Sequence, residues 1–321
     1  MAKRRLIALA MMLLPALGLA QETDMWMGAN VKISGDAQWG SGPAQESLER
    51  LAASGAEKAL LVAFMWQAKT DSNDPVIGGD SSPELVEAGL RQMREAGLDP
   101  ILKVHLWIPD SWAGEAAPTD RMAWFNAYRD GLLKLAEVAE KENAEALVVG
   151  SELRQLQNSG YWQPVVTAVR KVYSGPIVYV TDNLESAETF RYWTLFDVVA
   201  TSLYAELPTD PESRADQMRQ MADRLYDLGQ RAQRPVWVAE LGLRSATGSL
   251  SAPWESPEER ELPVNLGLQN EVLTSWRDAL DETGKVDGLA IWAWYTDPNA
   301  GGVNDTDFTI QNKPAQEIFK R

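Results

Sequence analysis

Eight short apolar segments, separated by stretches with helical periodicity, constrain the fold of this chain more than any other feature. The predicted strands are Gly28–Ile33, Lys58–Phe64, Pro100–Trp107, Ala146–Glu152, Ile177–Thr181, Asp197–Tyr204, Pro235–Glu240 and Gly288–Trp294. Predicted helices between them are Pro83–Ala96, Ala123–Glu142, Tyr161–Val172, Ala215–Ala232 and Asn270–Glu282. Strands that alternate with helices pair in parallel through right-handed crossovers. Eight such units in about 300 residues predict an α/β protein, a single (β/α)₈ barrel.

A doubly wound open sheet is the alternative fold. Its dinucleotide-binding form has no support, because no Gly-x-Gly-x-x-Gly follows the first predicted strand. No linker or repeat divides the chain, and Ser245–Pro263, rich in Ser, Pro and Glu, is interpreted as a long loop after the seventh strand. Residues 21–321 are therefore predicted to form one catalytic domain.

The first twenty residues have the pattern of an export signal. Three cations, Lys3, Arg4 and Arg5, precede the apolar segment Leu6–Ala20, which ends in small residues before polar Gln21. Its 15 residues fall short of the ~20 that a membrane-spanning helix needs. We expect cleavage after Ala20 and a periplasmic or secreted protein without stable membrane insertion; an uncleaved anchor is the alternative.

Composition excludes several kinds of chemistry. The absence of Cys removes thiol nucleophiles, iron–sulfur clusters and cysteine zinc sites, and a single His rules out multi-histidine metal centres. The formal net charge of −16 argues against a nucleic-acid partner. The segment Asp297–Asp307 is rich in oxygen ligands but lacks the spacing of a calcium loop, so it is interpreted as a solvated loop. We predict no cofactor and no metal; the sequence leaves the oligomeric state open.

Two predicted strands, the fourth and the seventh, end in a glutamate. Burying Glu152 or Glu240 at the end of an apolar strand costs several kcal/mol unless the carboxylate has a partner or a chemical role. By the two-residue period of a strand, Glu152 would share a face with Gly150, and Glu240 with Val238. Both carboxylates would then point into the mouth of the barrel, where barrel enzymes place their reacting groups.

Two carboxyl groups that face each other across a cleft are the minimum equipment for cleaving a glycosidic bond. The alternative is that each glutamate forms a structural ion pair with a nearby arginine, such as Arg154 or Arg244. Because both glutamates end barrel strands, we favour catalysis.

The aromatic composition favours a sugar ligand. The chain has 13 Trp against 6 Phe, and an indole offers both a flat apolar face and a polar N–H. Trp66, Trp292 and Trp294 at strand ends are interpreted as sugar platforms, whereas Trp162 and Trp193 lie in helical segments and are interpreted as packing residues.

Lys103 and His105 share a face of the third predicted strand. A Ser-His-acid hydrolase would need His105, but the sequence has no Gly-x-Ser-x-Gly elbow. We interpret His105 as a group that hydrogen-bonds substrate or supports its ligands; a hydrogen-bonded core histidine is the alternative.

These residues together resemble glycoside hydrolase family 113, in the retaining clan A of (β/α)₈ enzymes. The segments that carry the resemblance, in order along the chain, are Lys103–His105, Val149–Leu153, Ala239–Gly242, Trp292–Asn299, Asp307–Thr309 and Lys313–Ala315. No single segment is specific, whereas the ordered set is. The resemblance implies an endo-acting β-1,4-mannanase whose substrate is a polysaccharide.

The resemblance also implies roles for the site residues. Glu240 would be the nucleophile and Glu152 the acid/base, with carboxyl groups about 5–5.5 Å apart rather than about 9 Å as in inverting enzymes. Tyr204 is similar to the clan's tyrosine that hydrogen-bonds the nucleophile. Ser151 departs from the asparagine that commonly precedes the acid/base in this clan and binds the 2-hydroxyl, and Asn183 is a candidate substitute.

Two alternatives remain open. One is a periplasmic glycosidase that acts on a different β-linked exopolysaccharide in a biosynthesis or export pathway. The other is a non-catalytic glycan-binding barrel, against which the retention of two acids and the tyrosine argues.

Overall fold

The computed structural model describes residues 24–320, apart from 283 and 285. The predicted signal peptide, residues 1–20, lies outside the described residues, so cleavage after Ala20 stays a prediction. Within the described part of the chain, no helix is both long and apolar enough to cross a membrane.

Eight parallel strands close into a barrel, which confirms the predicted (β/α)₈ fold. They are β1 (Trp26–Lys32), β2 (Lys58–Trp66), β3 (Asp99–Trp107), β4 (Ala146–Ser151), β5 (Ile177–Thr181), β6 (Val198–Ser202), β7 (Val236–Leu241) and β8 (Gly288–Tyr295). Each strand pairs with the next, and β8 pairs with β1. The two-residue strand Val76–Ile77 adds antiparallel to the end of β2.

The helices that cover the barrel are α1 (Gly42–Ala53), α2 (Pro83–Glu95), α3 (Arg121–Lys141), α4 (Trp162–Val169), α5 (Leu184–Thr189), α6 (Pro211–Ala232) and α7 (Leu266–Asp281). The sequence analysis located five of them and missed α1 and the six-residue α5. Most begin at a side chain that accepts a hydrogen bond from the first turn, as expected of an N-cap. These residues are Ser41, Ser82, Asp120, Asn183, Asp210 and Asn265.

The lower half of the barrel is filled by inward-pointing apolar side chains. They are Trp26, Leu60, Ile101, Ala146, Val148, Val178, Val180, Val198, Ala200, Trp237, Ala239 and Ala290. The largest members, Trp26 and Trp237, pack edge to face with ring centroids 5.1 Å apart. These large rings fill the space beside small side chains such as Ala146 and Ala290, so the cluster forms a solid floor beneath the polar mouth.

β-Bulges near the carboxyl ends of β4 and β7 make the side chains there face differently from what simple alternation predicts. Gly150 faces the outer helices, where an added Cβ would lie 2.8 Å from Trp162, and Val238 belongs to the outer core. The predicted shared faces of Gly150 with Glu152 and of Val238 with Glu240 are therefore wrong. The register shifts between Val148 and Gly150 and next to Val238, and each extra residue changes which side chains face inward. Ser151 and Glu240 therefore point into the mouth, whereas Glu152 follows Ser151 in a left-handed backbone conformation.

The indole pair in the floor generates a stability prediction. Replacing the 8%-exposed Trp237 with Ala leaves a cavity against Trp26, so we expect the free energy of unfolding to fall by about 3–5 kcal/mol. Trp254→Ala is the matched control, because that side chain is 54% exposed. Guanidinium unfolding followed by far-ultraviolet circular dichroism measures both; equal losses would show that the floor does not depend on this pair.

Candidate active site

Glu240 lies at the centre of the barrel mouth, with only 2% of its surface exposed. Its Oε1 atom forms an ion pair with Lys103 and accepts a 3.5 Å hydrogen bond from the hydroxyl of Ser151. Its Oε2 atom accepts a hydrogen bond from the hydroxyl of Tyr204 at 3.3 Å. Side chains from β3, from β4 and from the segment after β6 therefore hold this carboxylate in one orientation.

Lys103 is fully buried and is itself fixed by Asn30 on β1. The ammonium donates to Oδ1 of Asn30 at 2.9 Å, and the amide nitrogen of Asn30 donates to the carbonyl of Ala239 at 2.9 Å. The sequence analysis missed Asn30, although a buried amide in an otherwise apolar strand is a signal that could have identified it. This amide links β1, β3 and β7 directly beneath the site.

Glu152 follows the end of β4 in a left-handed backbone conformation, with φ of 58°. The predicted strand extends one residue too far, because β4 ends at Ser151. The amide of Glu152 still donates to the carbonyl of Val180 at 2.8 Å. A carboxylate oxygen of Glu152 and one of Glu240 lie within 4.8 Å of each other, and Nε2 of His105 is 3.9 Å from both residues.

The environment drives the pKa values of the two carboxyl groups apart. Burial, and then the negative charge of Glu240, raise the pKa of Glu152 to about 8. Burial also opposes ionisation of Glu240, but the charge of Lys103 and hydrogen bonds from Lys103 and Tyr204 leave its pKa below the usual value. At neutral pH the pair is thus arranged as one acid and one carboxylate.

His105 is neutral at neutral pH, because burial lowers its pKa to about 4. Its Nδ1 atom lies 3.1 Å from the carbonyl of Leu106, which fits the tautomer protonated at Nδ1 and leaves Nε2 facing the two carboxyl groups. The side chain is 13% exposed at the mouth, so it has a free polar edge where a ligand would lie.

Neither arginine considered as a structural partner pairs with a site glutamate. Arg154 binds Oδ2 of Asp182 and lies over the ring of Trp112, with its guanidinium carbon 4.8 Å from the centroid. Arg244 donates to backbone carbonyls after β7 and β8. The cation on Glu240 is instead Lys103, which the sequence places on the inner face of β3.

The tryptophans at strand ends separate into two groups. Trp292 faces the site, 6.3 Å from the ring of His105, and the ammonium of Lys32 lies 4.7 Å from its ring centroid. Trp66 stands at the rim. Trp294 does not belong to the site: it is 1% exposed, and its indole N–H donates to Ser47 of α1 at 2.8 Å. The expectation that Trp294 is a sugar platform is therefore wrong, because β8 has a bulge between Ile291 and Trp294 that turns its side chain outward.

Asn183 lies beside the site with its amide already engaged. Its Oδ1 atom caps α5 through the amide of Ser186 at 2.8 Å, and its Nδ2 atom donates to Asp182 at 2.9 Å. With Tyr204 it lines a 350 Å³ cavity between α5 and α6. Both polar atoms of this side chain therefore have partners within the chain, and its binding of the 2-hydroxyl stays a prediction.

Among the described residues, His105, Glu152 and Glu240 are the one group close enough to share a metal ion. The ammonium of Lys103 already neutralises Glu240 there, which disfavours a second cation. In the 297–307 loop, Asp305 pairs with Lys313 at 2.6 Å and Asp307 accepts from the hydroxyl of Tyr295 at 2.6 Å. The loop acids thus have partners within the chain.

The raised pKa of Glu152 predicts how stability depends on pH. A carboxyl whose pKa is higher in the folded state stabilises the fold below its unfolded value of 4.5, and this contribution is lost as pH rises toward 8. We expect the Glu152→Gln variant to become increasingly stable relative to wild type between about pH 5 and about pH 8, because the glutamine never ionises. Urea unfolding at several pH values measures the difference; a constant difference would contradict the assigned environment.

Solved structures of known proteins share the fold of this chain. A structure of the family 113 β-mannanase from Alicyclobacillus acidocaldarius, in complex with ManMIm, superposes with a TM-score of 0.82 at 21% identity, covering 93% of this chain and 97% of that one. A second family 113 β-1,4-mannanase gives 0.83 at 22%, covering 92% and 98%. A family 5, subfamily 18 protein from Bifidobacterium longum, in complex with Manβ1-4GlcNAc, gives 0.62 at 13%, covering 92% and 77%.

Curated proteins yield no match to the sequence. The sequence model of the family described as Glycoside Hydrolase Family 113, however, matches residues 31–313. This range includes every strand end that contributes to the site. The chain therefore belongs to glycoside hydrolase family 113.

Proposed function

We propose that this protein is a retaining, endo-acting glycoside hydrolase that cleaves β-1,4-linked mannan-type polysaccharide by double displacement. The observation that carries the proposal is a pair of carboxyl groups, with oxygens within 4.8 Å, whose pKa values are shifted in opposite directions. Their separation is close to the ~5–5.5 Å of retaining enzymes and far below the ~6.5–9.5 Å of inverting ones. The two family 113 neighbours described as β-mannanases support the substrate class.

In the first step, Glu240 attacks the anomeric carbon while Glu152 protonates the departing glycosidic oxygen. The C–O bond to the leaving sugar breaks, and a glycosyl ester forms on Glu240. Lys103 keeps the nucleophile ionised, and Tyr204 orients it through Oε2. The neutral Glu152 has the proton that the leaving oxygen requires.

In the second step, Glu152, now ionised, removes a proton from water, which attacks the anomeric carbon and breaks the ester to Glu240. Two inversions leave the configuration at the anomeric carbon unchanged. Nε2 of His105, 3.9 Å from both carboxyl groups, is placed to bind a sugar hydroxyl, and Trp292 forms a wall for the reacting ring. Ser151 hydrogen-bonds Glu240, so it helps to hold the nucleophile.

Substitution of the two glutamates separates their roles. On mannan, we expect Glu152→Gln to lower kcat about 10²–10⁴-fold, because it removes the general acid. On an aryl β-mannoside whose leaving group needs no proton, the first step of this variant should survive and produce a burst of phenol. Glu240→Gln should abolish both reactions, since no ester can form.

The matched control is Glu46→Gln, an exposed glutamate paired with Arg50 on α1. It should retain wild-type rates on both substrates. Proton NMR of the first-formed product should show the β-anomer; an α-anomer would refute the retaining mechanism, and full activity of either site variant would remove that residue from its role.

Lys103 generates a pH prediction. In Lys103→Met the buried Glu240 loses its cation, so its pKa rises and the acidic limb of the kcat/KM profile moves to higher pH. The direction of the shift follows from the loss of the charge and the hydrogen bond that Lys103 gives to Glu240. Lys103→Arg keeps the charge and serves as the control; an unchanged limb in the methionine variant would contradict the role of Lys103.

Incubation with mannan, glucomannan and cellulose, followed by sizing of the products, tests the substrate. Early release of mid-length fragments from mannan supports endo action. Cleavage of a different β-linked polymer alone would favour the exopolysaccharide-processing alternative, and binding without cleavage would favour a glycan-binding barrel. Export directed by residues 1–20, with cleavage after Ala20, would place the enzyme where such polymers occur.

A further inference from the structure

Two exposed indoles stand at the rim of the mouth, outside the reaction centre. Trp66 is 41% exposed and Trp107 is 46% exposed, and their ring centroids are 6.1 Å apart. They are the last residues of β2 and β3, and they are direct partners in the register of those strands. Two adjacent tryptophans held open to water by rigid strands form an apolar patch of the kind that marks a binding surface.

The patch is continuous with the candidate active site through a row of rings. The ring of Trp107 lies 5.9 Å from Phe64, and Phe64 lies 5.9 Å from His105, the residue beside the two carboxyl groups. Each step is about the size of one sugar ring. A chain with one unit over the carboxyl pair would therefore reach the indoles with a more distant unit.

A groove of 310 Å³ opens beside Trp66 and combines apolar and polar groups. Its lining includes Asp74, Val76 and Pro109. The indole packs directly on Gly78, where an added Cβ would lie 2.4 Å from Nε1 of Trp66, so the glycine is needed for this ring position. Pairing of Trp66 with Val76 in the short antiparallel strand further fixes the ring.

An aromatic face beside a carboxylate is suited to a neutral sugar. The C–H face of the sugar stacks on the indole, and a hydroxyl donates to the carboxylate. The same carboxylate, on a chain with a net charge of −16, repels a sugar acid. These features favour an uncharged glycan over an acidic one.

We propose that Trp66, Trp107 and Asp74 form a distal subsite for a neutral glycan chain, which makes efficient cleavage depend on chain length. The proposal rests on the proposed function for the β-linked nature of the chain. It explains why an endo-acting enzyme would engage a polymer well beyond the bond that it breaks.

The first test compares kcat/KM for linear manno-oligosaccharides of six units and of three. We expect Trp66→Ala and Trp107→Ala each to lower the value for the longer substrate about tenfold to a hundredfold more than the value for the shorter one. Trp66→Phe should restore part of the loss, because it retains a ring. Tyr226→Ala, an aromatic substitution on α6 that is 36% exposed in wild type, should change neither value.

The second test measures binding without turnover, by calorimetry in the Glu152→Gln background. Six-unit manno-oligosaccharide should bind at least tenfold more weakly when Trp66 is replaced with Ala, and a six-unit oligouronate should bind more weakly than the neutral chain in either protein. Equal losses for short and long chains, no loss, or tighter binding of the oligouronate would overturn the subsite. A wild-type enzyme that cleaves no β-glycan would refute the proposed function, whereas this titration would still decide the subsite.

Discussion

The need to hold an ionised carboxylate inside a barrel determines how the mouth of this protein is built. Glu240 is almost fully buried, and a buried charge is tolerated only with a partner and further hydrogen bonds. Lys103 supplies the charge, Tyr204 and Ser151 supply hydrogen bonds, and Asn30 fixes Lys103. Because these residues come from different strands and from the segment after β6, barrel closure and site assembly depend on each other.

The same arrangement explains why two chemically identical groups behave differently. Glu152 is buried without a cation of its own and beside the negative charge of Glu240, so its neutral form is favoured. Arg154, the nearest arginine in sequence, is occupied by Asp182 and therefore leaves this acid unneutralised. Which carboxyl group is ionised at neutral pH thus follows from which one the lysine contacts, and the proposed roles of acid and nucleophile rest on this difference.

The sequence was sufficient for the fold and for the identity of the paired acids, because alternation of strands with helices and a glutamate after an apolar segment are both local patterns. Lys103 and His105 were placed on the correct face because β3 runs without a bulge. The predicted directions of Gly150, Val238 and Trp294 were wrong for one common reason. A bulge changes the alternation of side chains along a strand, and the pattern of apolar residues in the sequence does not reveal it. Asn30 was missed although its amide stands out in an apolar strand, because its partners Lys103 and Ala239 lie far away in the sequence. The short α5 was missed because six residues are too few to show a helical period.

The backbone of Glu152 has an evolutionary consequence. Its left-handed conformation costs about 1–3 kcal/mol for a residue other than glycine, and its surroundings also oppose ionisation of its carboxyl group. Replacement by glycine or asparagine would relieve both costs at once, at the expense of the proposed proton donor. Selection for thermal robustness alone would therefore favour replacement of this glutamate, so its presence in this chain indicates a role other than stability.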